Sequence, residues 1–586
     1  MALTTFTDPL GVQRAAHLLR RTCCGATKQQ IEQFAAMTPQ QAVAELFDAN
    51  LPDPEEPIDP NTGQPWINLD SSTDVEDYNY ENLVLRWHIA QMMSPGIAQD
   101  QSLAYAFRER LVLFMHTHFT TKRTVVSNHR AIYHQLALFR FFAFDKEDIV
   151  IDPLAPETNI ILNFKELTKK ISVDNAMLIF LDGRYNVKGN PNENYARELL
   201  ELYAIGKGLE GNIPEPQYEG DYIYFTETDV QEGAKVFSGF VNDNSFSNID
   251  PDTNLPRGIL RGNTQIASAH DNTEKTFSER LGNATVTPDP TLLLGSEPTE
   301  ESLLDEISQL IDIIYNQEET HIYTCRKLYR FFVYHEVNPT VQAGIIQDMA
   351  DIFTASNHKI QPVLEALFTS REFYEGAAGY LDDSFGGLIK SPLDLVVGFS
   401  RSFGKTFPDP AVDLTGFYDT AGGMLSAIDN QGMDYYEPFE VAGYAAYHQY
   451  PIYNRNWITT NYLTRRYDFV RGQISDGMNP EPGQVDILQF VVDNFSSVAG
   501  DAKTLIVELT KYFLPVSGVI AFDDPNSEIT NERLNYFLQA LYDEGDPDPD
   551  AAWVIRWNGG SPNPDAGGQL LNLFNAMLQS PEYQLM

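Results

Sequence analysis

Apolar residues recur at intervals of three and four along most of the chain, a spacing that predicts amphipathic helices. Residues 9–48 predict two helices that divide near Gly25, with Thr27 as the N-cap of the second. The same pattern predicts further helices at residues 81–93, 102–116, 128–144, 159–181, 192–202, 226–237, 300–373, 391–403, 457–473, 484–498, 501–513, 530–543 and 569–578. No repeat of about 20–50 residues accompanies the pattern, so a solenoid is not expected.

Two long stretches interrupt the helical pattern. Residues 241–298 are rich in Asn, Asp, Thr, Gly and Pro, which predicts a loop-rich insert in which a small hairpin would fit. Residues 404–456 are rich in Tyr, Gly and Pro and are expected to be irregular. We therefore expect a mainly α fold, a large multi-helical body made of an N-terminal helical part (1–240), the insert (241–298) and a C-terminal helical part (299–586) packed on the first.

The charge of the chain restricts its partners. The 586 residues include 82 acidic and 40 basic side chains, for a net charge of −42. Such a surface repels phosphate backbones and anionic lipids, so neither nucleic acid nor a lipid surface is an expected ligand. No apolar run of about 18 residues is present, so no transmembrane helix is expected. The first residues lack the basic start and apolar core of a signal peptide, which by itself indicates the cytoplasm.

The helix predicted at residues 192–202 is the most informative segment. Glu198 and Glu201 are three residues apart and share one face of that helix. Glu193 and Arg197 are four residues apart and can form an ion pair. The helix can offer carboxylates to a metal or a proton, or it can be an ordinary amphipathic helix with an internal ion pair.

One candidate metal site combines His116 and His118 with Glu198 and Glu201. Imidazole and carboxylate ligands suit Zn, Fe or Mn, and helical bundles build such sites from inward-facing Glu and His. Histidines two positions apart diverge by about 200° within a continuous helix, so they chelate one ion only if the helix ends at His116. The alternative is that the histidines cap helices and bond buried backbone groups.

A candidate calcium loop contains Asp250, Asp252 and Asn254. These residues place oxygen donors at alternate positions, as calcium-binding loops do. The twelve-residue EF-hand pattern with its terminal Glu is absent. An ordinary polar loop is the alternative, because Asp and Pro favour turns.

Evidence for nucleophilic catalysis is weak. The sequence has neither a Gly-x-Ser-x-Gly elbow nor a Walker loop. Cys23 and Cys24 are adjacent, and Cys325 is distant from both, so no Cys-x-x-Cys metal knuckle exists. Basic residues near Cys23 could lower a thiol pKa, but buried packing is the expected role of these cysteines.

A dense group of aromatic residues lies between Tyr435 and Tyr453. Tyrosines at this density can form a surface that binds carbohydrate or protein. They can equally hold a long loop onto the helical body through their rings.

Several blocks of the sequence resemble, in the same order, those of an uncharacterised bacterial family, domain of unknown function 1800. The blocks are Ala16-His17-Leu18-Leu19-Arg20-Arg21-Thr22, Met115-His116-Thr117-His118-Phe119, Asn192 to Leu202, Phe237-Ser238-Gly239-Phe240, His270-Asp271, Arg326-Lys327-Leu328 and Lys390-Ser391-Pro392. Here Met115 precedes the first histidine of its block, where the family has Trp. The resemblance implies no established activity.

The resemblance also suggests a partner. Members are often encoded beside a second family, domain of unknown function 1501, which looks like a relative of sulfatases. Many members look exported, which implies the periplasm or the cell surface and, for this chain, export together with a partner.

We therefore expect a non-catalytic or scaffold-like component of an exported or surface-associated assembly that acts with a partner protein. The alternative is a metal-dependent hydrolase or oxidoreductase with a His/Glu site in the helical core. Its ion would be Zn, Fe or Mn, whereas the loop of Asp250 would take Ca.

Overall fold

Helices dominate the computed structural model, which describes residues 3–68, 77–153, 155, 158–262, 265–375, 387–478, 480–543, 545–559 and 564–586. In these residues, β-structure is limited to two-residue strand pairs and isolated bridges. The predicted mainly α fold is confirmed.

The helices before the insert begin near residue 11 and end at residue 236. They are α1 (Gly11–Cys23), α2 (Lys28–Ala35), α3 (Pro39–Leu46), α4 (Asp77–Gln91), α5 (Ser102–His118), α6 (Arg123–Val126), α7 (His129–Phe141), α8 (Phe164–Ile171), α9 (Asn175–Phe180), α10 (Asn194–Glu198) and α11 (Glu227–Val236). Thr27 caps α2 through a capping box, as predicted. Residues 9–48 contain three helices instead of two, because Thr38 builds a second capping box and Pro39 opens α3.

The helices after the insert continue nearly to the end of the chain. They are α12 (Glu300–Tyr315), α13 (Glu318–Phe332), α14 (Pro339–Val341), α15 (Gln347–Ala355), α16 (Ile360–Phe368), α17 (Arg371–Glu375), α18 (Pro392–Ser402), α19 (Leu414–Asn430), α20 (Ala445–His448), α21 (Thr460–Gly472), α22 (Ile487–Phe495), α23 (Ala502–Phe513), α24 (Asn531–Leu541), α25 (Pro549–Asn558) and α26 (Pro564–Leu578). Shorter helical turns are π-helical at Leu199–Ala204 and Gln342–Ile346, and 3-10 at Trp66–Asn68, Gly183–Tyr185, Glu279–Leu281, Tyr453–Trp457 and Glu582–Gln584.

Helix α19 lies inside the stretch that was expected to be irregular. Asp413 caps its first turn, and Met424 and Ile428 are buried on one face. Gly422 and Gly423 lie in the middle of this continuous helix, and glycine is the weakest helix former after proline. The helical pattern was therefore not evident in the sequence. The irregular part of residues 404–456 is therefore shorter than predicted.

The insert contains two small antiparallel strand pairs. Strand β1 (Phe240–Val241) pairs with β2 (Ile259–Leu260), and β3 (Lys275–Thr276) pairs with β4 (Thr285–Val286). A parallel pair, β5 (Ile474–Ser475) with β6 (Val485–Asp486), lies in the C-terminal part.

A buried ionic cluster fastens the insert to α12. The carboxylate of Glu306 contacts the ammonium of Lys275 and lies 3.2 Å from Nε2 of His270. All three side chains are buried, so the insert and the helical body share this charge network.

The buried apolar side chains form one cluster that extends from Phe6 to Tyr583. Helix α1 contacts both α5 and α23, and Arg20 donates a hydrogen bond to the carbonyl of Tyr512 at 3.3 Å. The two ends of the chain therefore share a core, and the division at residues 240 and 298 stays a prediction. Within the part of the chain that the structure describes, no helix is both long and apolar enough to cross a membrane.

Candidate functional site

The motif at residues 192–202 forms α10 followed directly by the π-helical turn Leu199–Ala204. The N–H groups of Ile205 and Gly206 both bond the carbonyl of Leu200, at 3.2 and 2.9 Å. A π-helical turn is a wider turn with one extra residue, and such turns occur frequently at functional sites. This widening distinguishes the segment from the ordinary helix that its periodicity predicted.

Side chains from two other helices satisfy the carbonyls at the end of this turn. The carbonyl of Leu202 accepts hydrogen bonds from the hydroxyl of Tyr323 and the ammonium of Lys327, each at 3.0 Å. The carbonyl of Tyr203 accepts one from Nε2 of His118 at 2.7 Å. Burial and the nearby Arg330 lower the pKa of Lys327 to about 7. Helices α5 and α13 therefore hold the π-helical turn from two sides.

His118 is enclosed by aromatic rings. Its ring centroid lies 4.6 Å from Phe119, 4.9 Å from Phe164 and 6.1 Å from Phe114. Burial lowers its pKa well below the usual value, so the imidazole is neutral. This side chain serves as a backbone donor inside an aromatic shell.

His116 points to a different part of the core. Its Nε2 donates to the carbonyl of Thr121 at 3.1 Å, and its ring stacks on Tyr436 with centroids 3.7 Å apart. Burial lowers its pKa to about 4. Chelation required the helix to end at His116, but α5 continues through His118. The condition for a shared ion is not met, and the two imidazoles diverge.

The two carboxylates of the motif remain near the surface. Glu201 pairs with the ammonium of Lys207. Glu198 is half-buried, and its burial together with the charge of Glu201 raises its pKa to about 7. A carboxyl group with such a pKa can give or take a proton at neutral pH. Among the described residues, no three His, Cys, Asp or Glu side chains are grouped so that they could hold a metal ion.

Glu193 and Arg197 form an ion pair at 3.0 Å. Arg197 also makes a bidentate contact with Glu227, at 2.8 and 3.0 Å, and bonds the hydroxyl of Tyr222. The start of the motif is thereby tied to α11.

Basic side chains stand where the candidate calcium loop would hold its ion. Asp250 accepts hydrogen bonds from Lys170 at 2.8 Å and from Arg257 at 3.0 Å. Asp252 contacts the same Lys170 ammonium at 2.5 Å. Asn254 occupies the left-handed region with φ of 55°, which closes the loop. Lys170 is 80 residues from Asp250, so this pairing could not be recognised from local sequence spacing.

The cysteines are buried, in agreement with the packing role expected for them. Burial raises the pKa of Cys23 to about 11 and that of Cys24 to about 12. Thiols with these pKa values are not thiolate nucleophiles at neutral pH.

A serine, a histidine and a carboxylate lie in line between α11 and α12. Nδ1 of His270 donates to the carbonyl of Ser238 at 2.8 Å and lies 3.3 Å from its hydroxyl, while Nε2 faces Glu306. The hydroxyl of Ser238 donates to the carbonyl of Lys235 and accepts the N–H of Asp271, so its proton and a lone pair are already in use. This buried arrangement connects segments and does not present a nucleophile.

The inner tyrosines hold the segment from residue 434 to residue 453, which we term the tyrosine loop. Tyr435 bonds Nδ1 of His88 at 2.8 Å, and Tyr436 donates to Gln135 at 3.0 Å. Gly443, with φ of 102°, lies so close to the end of α5 that an added Cβ would be 3.0 Å from Oγ1 of Thr120 and 3.3 Å from the carbonyl of Thr117. The loop is therefore fixed on the helical body beside His116.

The outer side chains of the tyrosine loop face solvent. Phe439 is 90% exposed and Tyr450 is 53% exposed. Ile452 and, beyond the loop, Ile213 are exposed as well, and Tyr450 lies against Gly211. We use the name outer strip for this set of four exposed side chains.

The sequence did not reveal the donors to the π-helical turn. Tyr323 and Lys327 are four residues apart on α13, so they share a face, and that spacing was the available signal. Both side chains donate to the backbone carbonyl of Leu202, and backbone acceptors cannot be identified from side-chain patterns.

The fold and the site define a mainly α protein whose most specific motif builds a π-helical turn beside a fixed tyrosine loop. The chain belongs to the family described as Protein of unknown function (DUF1800), which matches residues 17–585. The resemblance found in the sequence is thereby confirmed. No curated protein and no solved structure matches the chain.

Proposed function

We propose that this protein is a non-catalytic, scaffold-like component of an exported or surface-associated assembly and binds a partner protein through the outer strip. The exposure of Phe439 carries the proposal, because the tyrosines before and after it are buried and fix its position. Burying one such side chain contributes about 1.5–3 kcal/mol, and exposed aromatic residues of this kind become the main contributors at interfaces.

The charge around the outer strip indicates what the partner should offer. Glu437 and Glu440 flank Phe439, and the whole chain carries a net charge of −42. An apolar patch ringed by Lys and Arg would complement this surface and speed association. A sulfatase-like protein of the 1501 family is the partner that the family resemblance suggests.

His116 and the residues just after its block contact the tyrosine loop from the side of the helical body. His116 stacks on Tyr436, and the N–H of Arg123 donates to the carbonyl of Tyr436 at 3.0 Å. Lys122 bonds the carbonyl of Phe439 at 2.9 Å. We infer that the histidine block holds the tyrosine loop in a form ready for binding, which reduces the entropy lost on association.

Calorimetric titration with a 1501-family protein from the same organism tests the proposal. We expect Phe439→Ala combined with Tyr450→Ala to weaken binding by about tenfold or more, equivalent to about 1.4 kcal/mol. Val412→Ala is the matched control, because Val412 is 85% exposed and lies outside the loop. Absence of binding by the unchanged protein, or equal losses in the control, would contradict the proposal.

The pKa of Glu198 favours a second candidate, an acid–base enzyme centred on the motif carboxylates. Its metal-dependent form, a hydrolase or oxidoreductase that uses Glu198 and Glu201 with His116 and His118, would require both imidazoles to leave the carbonyls of Thr121 and Tyr203. Metal analysis of the purified protein, with His118→Ala and Glu198→Ala beside it, distinguishes the two candidates. Stoichiometric Zn, Fe or Mn that both substitutions remove would favour the enzyme.

A further inference from the structure

A cavity of about 320 Å³ lies between α18, α19 and α21 and uses none of the residues of the π-helical turn or the outer strip. Its apolar wall consists of Met93, Val396, Phe407, Met424, Ala427 and Phe469. Its polar wall comes mainly from residues 405–406, 472–473 and 481–484. Small-molecule sites in proteins have this size, about 300–1,000 Å³, and this division between an apolar body and a few polar groups.

Lys405 gives the cavity a positive charge with a neutral partner. Its ammonium donates to Oε1 of Gln473 at 2.7 Å. Burial lowers its pKa, and no Asp or Glu of the described residues forms an ion pair with it. The buried ammoniums of Lys327 and Lys390 also lack a carboxylate partner in the described part of the chain, but they donate to backbone carbonyls, whereas Lys405 donates to a side-chain amide in the cavity wall. An anionic ligand would offset its desolvation.

Two adjacent glycines of α19 differ in their surroundings, and one of them lines the cavity. A Cβ on Gly422 would lie 3.0 Å from Cζ of Arg86, so helix packing explains this glycine. A Cβ on Gly423 would meet nothing within 4 Å, although Gly423 lines the cavity. Glycine inside a helix destabilises it by about 0.5–1 kcal/mol relative to alanine. Packing therefore does not require glycine at position 423, and a large side chain there would extend into space beside the cavity.

We propose that this cavity binds a small molecule with one carboxylate on an apolar body. The carboxylate would pair with Lys405 and accept a hydrogen bond from the amide of Gln473 or Gln484. The apolar body would lie against Val396, Met424 and Phe469. Glu481 on the polar wall disfavours ligands with several negative charges.

Calorimetry and ligand-detected NMR on the full chain test the proposal with decanoate and 3-phenylpropanoate, and with decanol as a neutral comparison. We expect saturable binding of at least one acid, with decanol at least about tenfold weaker than decanoate. Lys405→Met keeps the apolar stem and should abolish the preference for the acid. Gly423→Phe should fill part of the cavity and weaken the binding of every probe.

Gly568→Phe is the matched control, because Gly568 is also helical and has open space at its Cβ position. It should leave binding unchanged. Three results would overturn the proposal: no saturable binding of either acid, a preference for decanoate that persists in Lys405→Met, or equal losses in Gly423→Phe and Gly568→Phe.

Discussion

Replacing His118 by Phe tests whether this histidine acts as a backbone donor. The substitution keeps an aromatic ring among Phe114, Phe119 and Phe164 but removes the 2.7 Å hydrogen bond to the carbonyl of Tyr203. A buried carbonyl left without a donor destabilises its surroundings by about 1–3 kcal/mol. His118→Ala also leaves a cavity, and the total loss should then reach about 3–5 kcal/mol.

Native-state hydrogen exchange measures this loss at the π-helical turn itself. The amides of Ile205 and Gly206, both bonded to Leu200, should exchange about tenfold faster for each 1.4 kcal/mol that is lost. His134→Phe is the control, because no hydrogen bond from the His134 side chain supports this turn. Equal effects of His118→Phe and His134→Phe would refute the reasoning. A chelator that speeds exchange in the unchanged protein but not in His118→Ala would point to a bound metal.

Three further predictions concern the charges around the site and the insert. Glu198→Gln should raise the midpoint of thermal unfolding near pH 8 but not near pH 4. The folded-state pKa of Glu198, about 7, exceeds the reference value of 4.5, so the native protein loses stability as the pH rises from 4.5 to 7. Equal shifts of the midpoint at both pH values would contradict this prediction. Glu306→Gln should lower the free energy of unfolding in urea by about 3–5 kcal/mol, because it leaves the ammonium of Lys275 buried without its carboxylate. The double variant Glu306→Leu with Lys275→Met should recover most of this stability. Additive losses in the double variant would refute the coupling between Glu306 and Lys275. Arg197→Ala should lower the free energy of unfolding by less than about 1 kcal/mol, because the Arg197 side chain is 29% exposed and solvent screens its ion pairs. A larger loss would show that its ion pairs with Glu193 and Glu227 act cooperatively.

The sequence predicts the helices well where local chemistry marks their ends. Thr27, Asn128 and Ser391 each cap the helix that the pattern placed after them. Helix α19 was missed because Gly422 and Gly423 are poor helix formers, although the packing of Gly422 against Arg86 favours glycine there. The π-helical turn was missed because Leu199, Leu202 and Ile205 fit an ordinary helical stripe as well.

The candidate site was harder to predict than the fold. His116 and His118 were singled out as candidate metal ligands, but in the structure they bond the carbonyls of Thr121 and Tyr203, and backbone groups are invisible in the sequence. Asp250 was singled out for its oxygens, yet a distant lysine supplies the positive charge. The side-chain types in the sequence indicated which polar residues would need partners. The partners themselves are backbone groups or residues distant along the chain, and only the tertiary fold brings them together.

Hydrogen exchange of the tyrosine loop in His116→Ala is the most direct test of the central claim that the buried histidine block holds this loop in place. The substitution removes the ring that stacks on Tyr436 at 3.7 Å and the bond to Thr121. The account predicts faster exchange across residues 434–453, with the amides of α24 unchanged. Unchanged protection of the tyrosine loop in His116→Ala would contradict it.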